Sequence, residues 1–188
     1  MAKVRVIGIS GSLRQGSFNS ALLTAATGLM PHDSELVAAT IHGIPLYDGD
    51  LEETSGVPDV VQALKERIAG AAGVLLVTPE YNNSIPGVFK NAIDWTTRPS
   101  SDMARVWGGK PVGMIGATPG PWGTALAQAA WLPVLRTLGT LPFFGARLQV
   151  PNAAGVFDEH GALSDAKVRS QLTKYMVAFV QFVTRQSG

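Results

Sequence analysis

The chain has 188 residues, 46% of them hydrophobic, which suits one domain, residues 1–188, with a sizeable buried core. Its 15 Lys and Arg nearly balance its 14 Asp and Glu, so no net field favours nucleic acid or a membrane surface as a partner. The sequence has no cysteine, which excludes disulfides, thiolate metal sites and cysteine nucleophiles. A small molecule is therefore the expected partner.

The histidines and the N-terminus give two further expectations. His32, His42 and His160 lie in separate loop-like segments without the spacing of metal ligands, so we expect them at the surface and expect no metal site. The first apolar stretch is too short for a signal peptide, and no later segment has the ~20 apolar residues that span a bilayer. We expect a cytoplasmic protein.

Five apolar runs of strand length alternate with five segments of helical period. The strands are predicted at residues 4–9, 35–40, 73–78, 111–117 and 146–150. The helices are predicted at residues 17–28, 58–69, 86–95, 124–138 and 165–185. The third strand is apolar throughout, which is typical of a strand covered by helices on both faces.

Two helices carry additional signals. Pro133 removes a backbone donor within the fourth helix, so we expect a kink or break there. Its neighbours Trp131, Leu132 and Val134 could form a subunit contact or ordinary core packing. Ser164 is the predicted N-cap of the last helix.

The alternation of strands and helices, without a repeat or a linker, predicts a doubly wound α/β fold with a five-stranded parallel sheet. In such sheets ligands bind beyond the carboxyl ends of the strands, where the connection order changes side. The loops after strands one, three and four are therefore the candidate site.

The first loop, residues 11–19, combines glycines and hydrogen-bonding side chains directly before a helix N-terminus, where free N–H groups attract anions. The candidate phosphate ligands are Ser12, Arg14, Ser17 and Asn19. A loop whose Ser and Asn side chains merely cap the helix is the alternative.

Two common nucleotide motifs are excluded in this loop. Ser17 stands where a Walker A loop has its lysine, which argues against ATP or GTP hydrolysis. The spacing of Gly8, Gly11 and Gly16 does not match the dinucleotide fingerprint. A terminal monophosphate remains as the expected ligand group.

The other two loops suit a flat heterocycle. Residues 78–87 contain two prolines, the flat face of Tyr81 and asparagine amides that can pair with a ring. The small residues within 116–124 allow close backbone approach. Each loop alone could be an ordinary turn, but together, in a flavodoxin-like strand order 2-1-3-4-5, they suit FMN.

Three segments carry a resemblance to a known family: "GSLRQGSFN", "TPEYNNSIPGVFKNAIDW" and "IPLYDGDLE". They resemble the NADPH-dependent FMN reductase family, flavodoxin-like enzymes that include quinone, azo-dye and chromate reductases. The resemblance covers residues 3–124 in order, and "FDEHGALSD" continues it towards the C-terminus.

This resemblance implies roles for individual residues. Ser12, Arg14, Ser17 and Asn19 would hold the FMN phosphate. The isoalloxazine and ribityl would be lined by Pro79, Glu80, Tyr81 and Asn82. The other side of the flavin would be closed by Ala117, Thr118 and Gly120, although "ATPGPWGT" departs from the Ser and paired Gly of related proteins. The resemblance also implies a homodimer or homotetramer, with residues 90–98 near a neighbouring flavin.

The resemblance implies an alternating reaction in which FMN takes hydride from NADPH or NADH and then reduces a quinone, flavin, azo compound or similar acceptor. No catalytic side chain is expected, and Glu80 is interpreted as a structural or hydrogen-bonding residue. The main alternative is a flavodoxin-like electron carrier, which the near-neutral charge disfavours because such carriers are usually strongly acidic. A phosphate-binding hydrolase is a weaker alternative.

Overall fold

A computed structural model describes residues 3–186 and contains one parallel sheet. Its strand order is β2-β1-β3-β4-β5, which agrees with the predicted order 2-1-3-4-5. A further strand, β6, also pairs with β4. The strands are β1 Val4–Ser10, β2 Ser34–Ala39, β3 Gly73–Val77, β4 Pro111–Ala117, β5 Leu141–Pro142 and β6 Leu148–Val150.

The last sheet position differs from the prediction of one strand at residues 146–150. Two short strands share the outer edge of β4: β5 pairs with Pro111 and Val112, and β6 pairs with the segment that begins at Ile115. Between β5 and β6, a side chain supplies the hydrogen bonds that a neighbouring strand would make with β4. The Tyr175 hydroxyl accepts from the Met114 N–H at 2.8 Å and donates to the Met114 carbonyl at 3.0 Å.

The five predicted helices are confirmed with small shifts at their ends, and two short helices are added. The helices are α1 Phe18–Thr27, α2 Gly49–Ser55, α3 Asp59–Ala69, α4 Gly87–Trp95, α5 Met103–Trp107, α6 Ala125–Thr137 and α7 Ala166–Gln186. Short 3-10 turns lie at Ser100–Asp102 and Ala153–Gly155. Sequence periodicity missed α2 because none of its residues is buried, and α5 because five residues are too few to show a period.

Two local predictions need correction. The kink or break expected at Pro133 is not a break, since α6 continues through Pro133 to Thr137. Pro133 and Ala129, whose carbonyl loses its i→i+4 donor, are both exposed, so water can satisfy that carbonyl. In the last helix Asp165 is the capping residue, since its Oδ1 accepts from the Val168 N–H at 2.8 Å, while the Ser164 hydroxyl donates to Val156.

Helices cover both faces of the sheet, as the unbroken apolar strands predict. On one face α1 and α7 bury Leu22 and Phe179 against the strands. On the other face α3, α4 and α6 contribute Ile68, Ile93 and Trp131. Because both faces are covered, the exposed strand ends are the places where a ligand can reach the sheet.

The remaining expectations concern surface residues and the membrane. His32, His42 and His160 are exposed, as predicted. Among residues 3–186 no helix has the length and apolar character to cross a bilayer. No cluster of three or more potential metal-ligating side chains occurs in the same range.

Replacing Tyr175 with Phe should destabilise the fold through the edge of β4. The change leaves a buried N–H and a buried C=O of Met114 without their partner, so we expect a loss of about 1–3 kcal/mol in the free energy of unfolding. Urea denaturation measures it. Tyr81→Phe is the control, because the exposed Tyr81 hydroxyl makes no hydrogen bond within residues 3–186. Equal stability of the two variants would contradict this role of Tyr175.

Candidate functional site

Three loops lie side by side where β1, β3 and β4 end. Each loop continues the hydrogen-bond ladder of the sheet by one step. The Gly11 N–H donates to the Val77 carbonyl at 2.9 Å, the Thr78 N–H donates to the Ile115 carbonyl at 2.9 Å, and the Thr118 N–H donates to β6. The structure therefore brings together the three segments that the sequence singled out.

The first and third loops are joined directly by the Asn19 side chain. Its Oδ1 accepts from the Ala117 N–H at 2.9 Å and its Nδ2 donates to the Ala117 carbonyl at 2.8 Å. Asn19 is buried, so these bonds are shielded from water. One Nδ2 hydrogen of Asn19 therefore remains for the predicted contact with a phosphate.

Most backbone N–H groups of the first loop have no acceptor within residues 3–186. Ser17 is the N-cap of α1, and its hydroxyl oxygen accepts from the N–H groups of Asn19 and Ser20. The Ser12 hydroxyl accepts from the Arg14 N–H at 3.2 Å. The other N–H groups of the loop donate to no acceptor within residues 3–186, and they belong to Ser12, Leu13, Gln15, Gly16, Ser17 and Phe18. Free N–H groups at the start of a helix form a site for an anion.

Arg14 adds a positive charge to these donors. Its guanidinium donates to the Gly16 carbonyl and lies over the Phe18 ring, 5.4 Å from the ring centre. No carboxylate pairs with it in the part of the chain that the structure describes. The charge of Arg14 is thus available to an anionic ligand at the loop surface.

The two glycines of this loop have different roles. A Cβ on Gly11 would lie 2.1 Å from the Phe89 ring, so Gly11 allows α4 to pack against the end of β1. A Cβ on Gly16 would meet nothing within 4 Å, so the surface of the loop is open at that position. Gly11 thus serves packing, and Gly16 leaves space for a ligand.

The second loop contains a tight, rigid turn. Tyr81 and Ser84 exchange two backbone hydrogen bonds of 3.1 and 3.0 Å. Asn82 and Asn83 between them both have positive φ, of 49° and 62°, which matches a type I′ turn and explains the choice of asparagine. The loop therefore presents the Tyr81 ring, which is about half exposed, from a fixed backbone.

Glu80 has a structural role, as predicted. Its carboxylate accepts from the Ala127 N–H at 2.9 Å, in the first turn of α6. Thr124, the residue at the N-cap position of that helix, makes no side-chain capping bond. Glu80 thus caps α6 from another loop and joins the second loop to the third.

The third loop is tied to the end of β6. Thr118 accepts from the Ala153 N–H and, through its hydroxyl, from the Gly120 N–H. A Cβ on Gly116 would lie 2.2 Å from the Thr78 carbonyl, so only glycine allows the second and third loops to approach this closely. In the same loop Trp122 projects into solvent.

A fourth segment, the loop after β2, also joins the site, although the chemistry of its residues did not point to it. The Pro45 carbonyl accepts from Asn91 Nδ2 at 2.8 Å and from Trp95 Nε1 at 2.9 Å, both on α4. His42 Nε2 lies 3.1 Å from the Leu13 carbonyl oxygen of the first loop. The sequence singled out part of this loop, "IPLYDGDLE", only through the family resemblance, because the partners of Pro45 on α4 are 46 and 50 residues away in the chain.

This fourth segment is held by a charged cluster. The Glu52 carboxylate accepts from Arg98 Nε at 2.7 Å and from the Tyr47 hydroxyl at 2.9 Å. The bond from Arg98 holds the pKa of Glu52 below its usual value, and the bond to Glu52 raises the pKa of the Tyr47 hydroxyl. Arg98 also lies over the Tyr47 ring, 5.6 Å from its centre, so its charge is used within this cluster.

Comparison with known proteins identifies the family. The model of the family described as NADPH-dependent FMN reductase matches residues 4–155. An NAD(P)H-dependent FMN reductase of Pseudomonas aeruginosa is 40% identical over 185 residues, 98% of each chain. A 2-hydroxy-1,4-benzoquinone reductase of a Burkholderia species is 37% identical, with 96% of each chain covered.

Solved structures agree with this similarity. A flavoenzyme NAD(P)H:(acceptor) oxidoreductase of Paracoccus denitrificans has a TM-score of 0.85 and 36% identity, with 97% of this chain and 98% of that chain covered. An archaeal flavodoxin at 10% identity has a TM-score of 0.59 and shares only the fold. With a family model that matches most of its length and relatives above 30% identity over nearly all of it, the chain belongs to the NADPH-dependent FMN reductase family.

Proposed function

We propose that this chain is an FMN-dependent oxidoreductase that takes hydride from NADPH or NADH and reduces quinones, flavins, azo compounds or similar small acceptors. The observation that carries the proposal is the set of free N–H donors in the first loop together with the Arg14 charge, beside two rigid loops at the adjacent strand ends. The names of its relatives, an FMN reductase and quinone reductases, support the same chemistry.

The first loop fits the phosphate of FMN. A dianion needs several donors and a positive charge, and the free N–H groups, the hydroxyls of Ser12 and Ser17 and the Arg14 guanidinium supply them. The open surface at Gly16 leaves room for the ligand. Asn19 would act mainly by holding the start of α1 against Ala117.

The second and third loops fit the ring and the ribityl chain. Pro79, Glu80, Tyr81 and Asn82 would line one side, and the backbone N–H groups of Glu80 and Asn82 donate to no acceptor within residues 3–186. They can therefore donate to the carbonyl edge of a flavin, where negative charge grows on reduction. The other side would be closed by Ala117, Thr118 and Gly120.

The bound FMN supplies the hydride-accepting and electron-transferring chemistry, so the chain needs no acid or base of its own. Its residues bind and orient the flavin and leave one face open to the two substrates in turn. Glu80 is unsuited to proton transfer because its carboxylate already caps α6. We therefore assign no catalytic side chain and no metal.

The proposal includes a homodimer or homotetramer in the cytoplasm. Several large apolar side chains along α6 and the loops beside it are exposed: Trp122 by 80%, Phe144 by 69%, Leu126 by 49% and Leu132 by 37%. Leu132 and Phe144 line the same cavity beside α6, and an exposed apolar patch is typical of a surface that another subunit covers. Trp131, by contrast, is fully buried and belongs to the core.

Arg14→Ala tests the phosphate assignment. Loss of charge-assisted hydrogen bonds should weaken FMN binding by about ten- to a hundredfold and leave riboflavin, which lacks the phosphate, unaffected. Flavin fluorescence titration measures both affinities. Arg5→Ala is the control, since Arg5 pairs with Glu35 on β1 and β2, away from the loops that follow the strands. If the ratio of the two affinities is unchanged, the phosphate does not bind at Arg14.

Stopped-flow mixing of the yellow holoenzyme with NADPH, and separately with NADH, tests the reaction. A reductase should bleach its flavin at about 1 s⁻¹ or faster, and a quinone should then restore the colour. When initial rates are measured against NADPH concentration at several fixed quinone concentrations, the double-reciprocal lines should be parallel. Bleaching far slower than this with both nucleotides would indicate an electron carrier instead.

Leu126→Asp combined with Phe144→Asp tests the subunit contact. Two carboxylates on this apolar surface should oppose its burial, so the mass measured by light scattering should fall to that of a smaller assembly. Gln171→Asp, on the exposed side of α7, is the control. An unchanged mass for the double variant would place the contact elsewhere.

A further inference from the structure

One sequence motif, "FDEHGALSD" at residues 157–165, has no role in the proposed function, yet it touches the first loop. Phe157 stacks on Phe18, with ring centres 5.8 Å apart and planes 17° from parallel. Arg14 also contacts Phe18, with its guanidinium carbon 5.4 Å from the centre of the Phe18 ring. Two rings and one guanidinium thus connect the C-terminal hairpin to the loop that carries the free donors.

The hairpin is a firm support for this stack. Phe157 is buried and forms an antiparallel bridge with Leu163. Between them the Asp158 N–H donates to the Ala162 carbonyl at 2.9 Å, and the Asp158 carboxylate accepts from the N–H groups of His160 and Ala162. The backbone bonds of the hairpin therefore hold Phe157 in place, and Phe157 in turn fixes the plane of Phe18.

Within residues 3–186 the Arg14 guanidinium has two contacts, the Phe18 ring and the Gly16 carbonyl. Its guanidinium donates to the Gly16 carbonyl, and no carboxylate within residues 3–186 pairs with it. A free arginine side chain has many rotamers, and ordering it opposes binding. A ring beneath the guanidinium reduces this cost without neutralising the charge.

We propose that Phe18 and Phe157 are positioning residues that order Arg14 and so set how strongly the site prefers FMN over riboflavin. The inference rests on the proposed role of Arg14 at the phosphate. In this proposal the aromatic rings act on Arg14 and not on the ligand directly. Their effect passes through the guanidinium and is therefore confined to ligands that carry a phosphate.

Phe18→Leu and Phe157→Leu test this inference by titration of the full-length protein with FMN and with riboflavin. In the Phe18→Leu variant the exposed Arg14 guanidinium loses the ring beneath it, so FMN affinity should fall about two- to fivefold. Phe157→Leu should act in the same direction, while riboflavin affinity should stay the same in both variants. Phe18→Trp retains an aromatic face and should keep the preference for FMN.

A double-mutant cycle with Arg14→Ala distinguishes this role from general packing. Without Arg14, replacing Phe18 should change FMN affinity by less than about 1.5-fold, because coupled residues lose their shared effect together. Phe182→Leu is the matched control, since Phe182 is also a partly buried ring, packed on Phe143 at 5.4 Å in the same core.

The outcomes separate this inference from the phosphate assignment. A lower FMN preference in Arg14→Ala but not in Phe18→Leu would overturn the positioning role alone. An unchanged preference in Arg14→Ala would overturn both. An equal loss of FMN and riboflavin in Phe18→Leu would indicate only a disturbed fold and would also overturn the positioning role.

Discussion

The pairing of the Asn19 side chain with both backbone groups of Ala117 is the interaction on which the site depends. The Asn19 amide bonds to the last residue of β4 as a neighbouring strand would. Asn19 itself belongs to the first turn of α1. The start of that helix, and with it the first loop, is therefore fixed relative to the third loop. Because the pair is buried, its loss would leave two backbone groups without partners in a poorly solvated place.

The rest of the strand-end surface follows the same principle, in which some groups are used for rigidity and others are left free. Glu80 caps α6, two asparagines close the turn of the second loop, and Gly11 admits the Phe89 ring. These contacts fix the loops without using the N–H groups of the first loop. A preorganised set of free donors binds an anion without first breaking internal hydrogen bonds, which is the physical basis of the proposed phosphate site.

Much of the fold could be predicted from the sequence because its signals are local. Strands without polar alternation, such as Gly73–Val77, predict a parallel sheet with helices on both faces, and the structure agrees. Two of the errors occurred where a partner outside the local segment overrides a local signal. The outer edge of β4 is completed by Tyr175, and Asp165 rather than Ser164 caps α7 because the Ser164 hydroxyl bonds to Val156.

By itself, the sequence determined which loops meet, since parallel strands bring their carboxyl ends to one edge of a sheet. It also supplied the residue types suited to a phosphate. Tertiary structure alone decided which of these groups are free. Asn19 and Ser12 are equally plausible ligands by type, but the partner of Asn19 is 98 residues away, and that of Glu80 is 47 residues away. Only folding brings such partners into hydrogen-bonding distance, and this separates groups that hold the site together from groups that can bind a ligand.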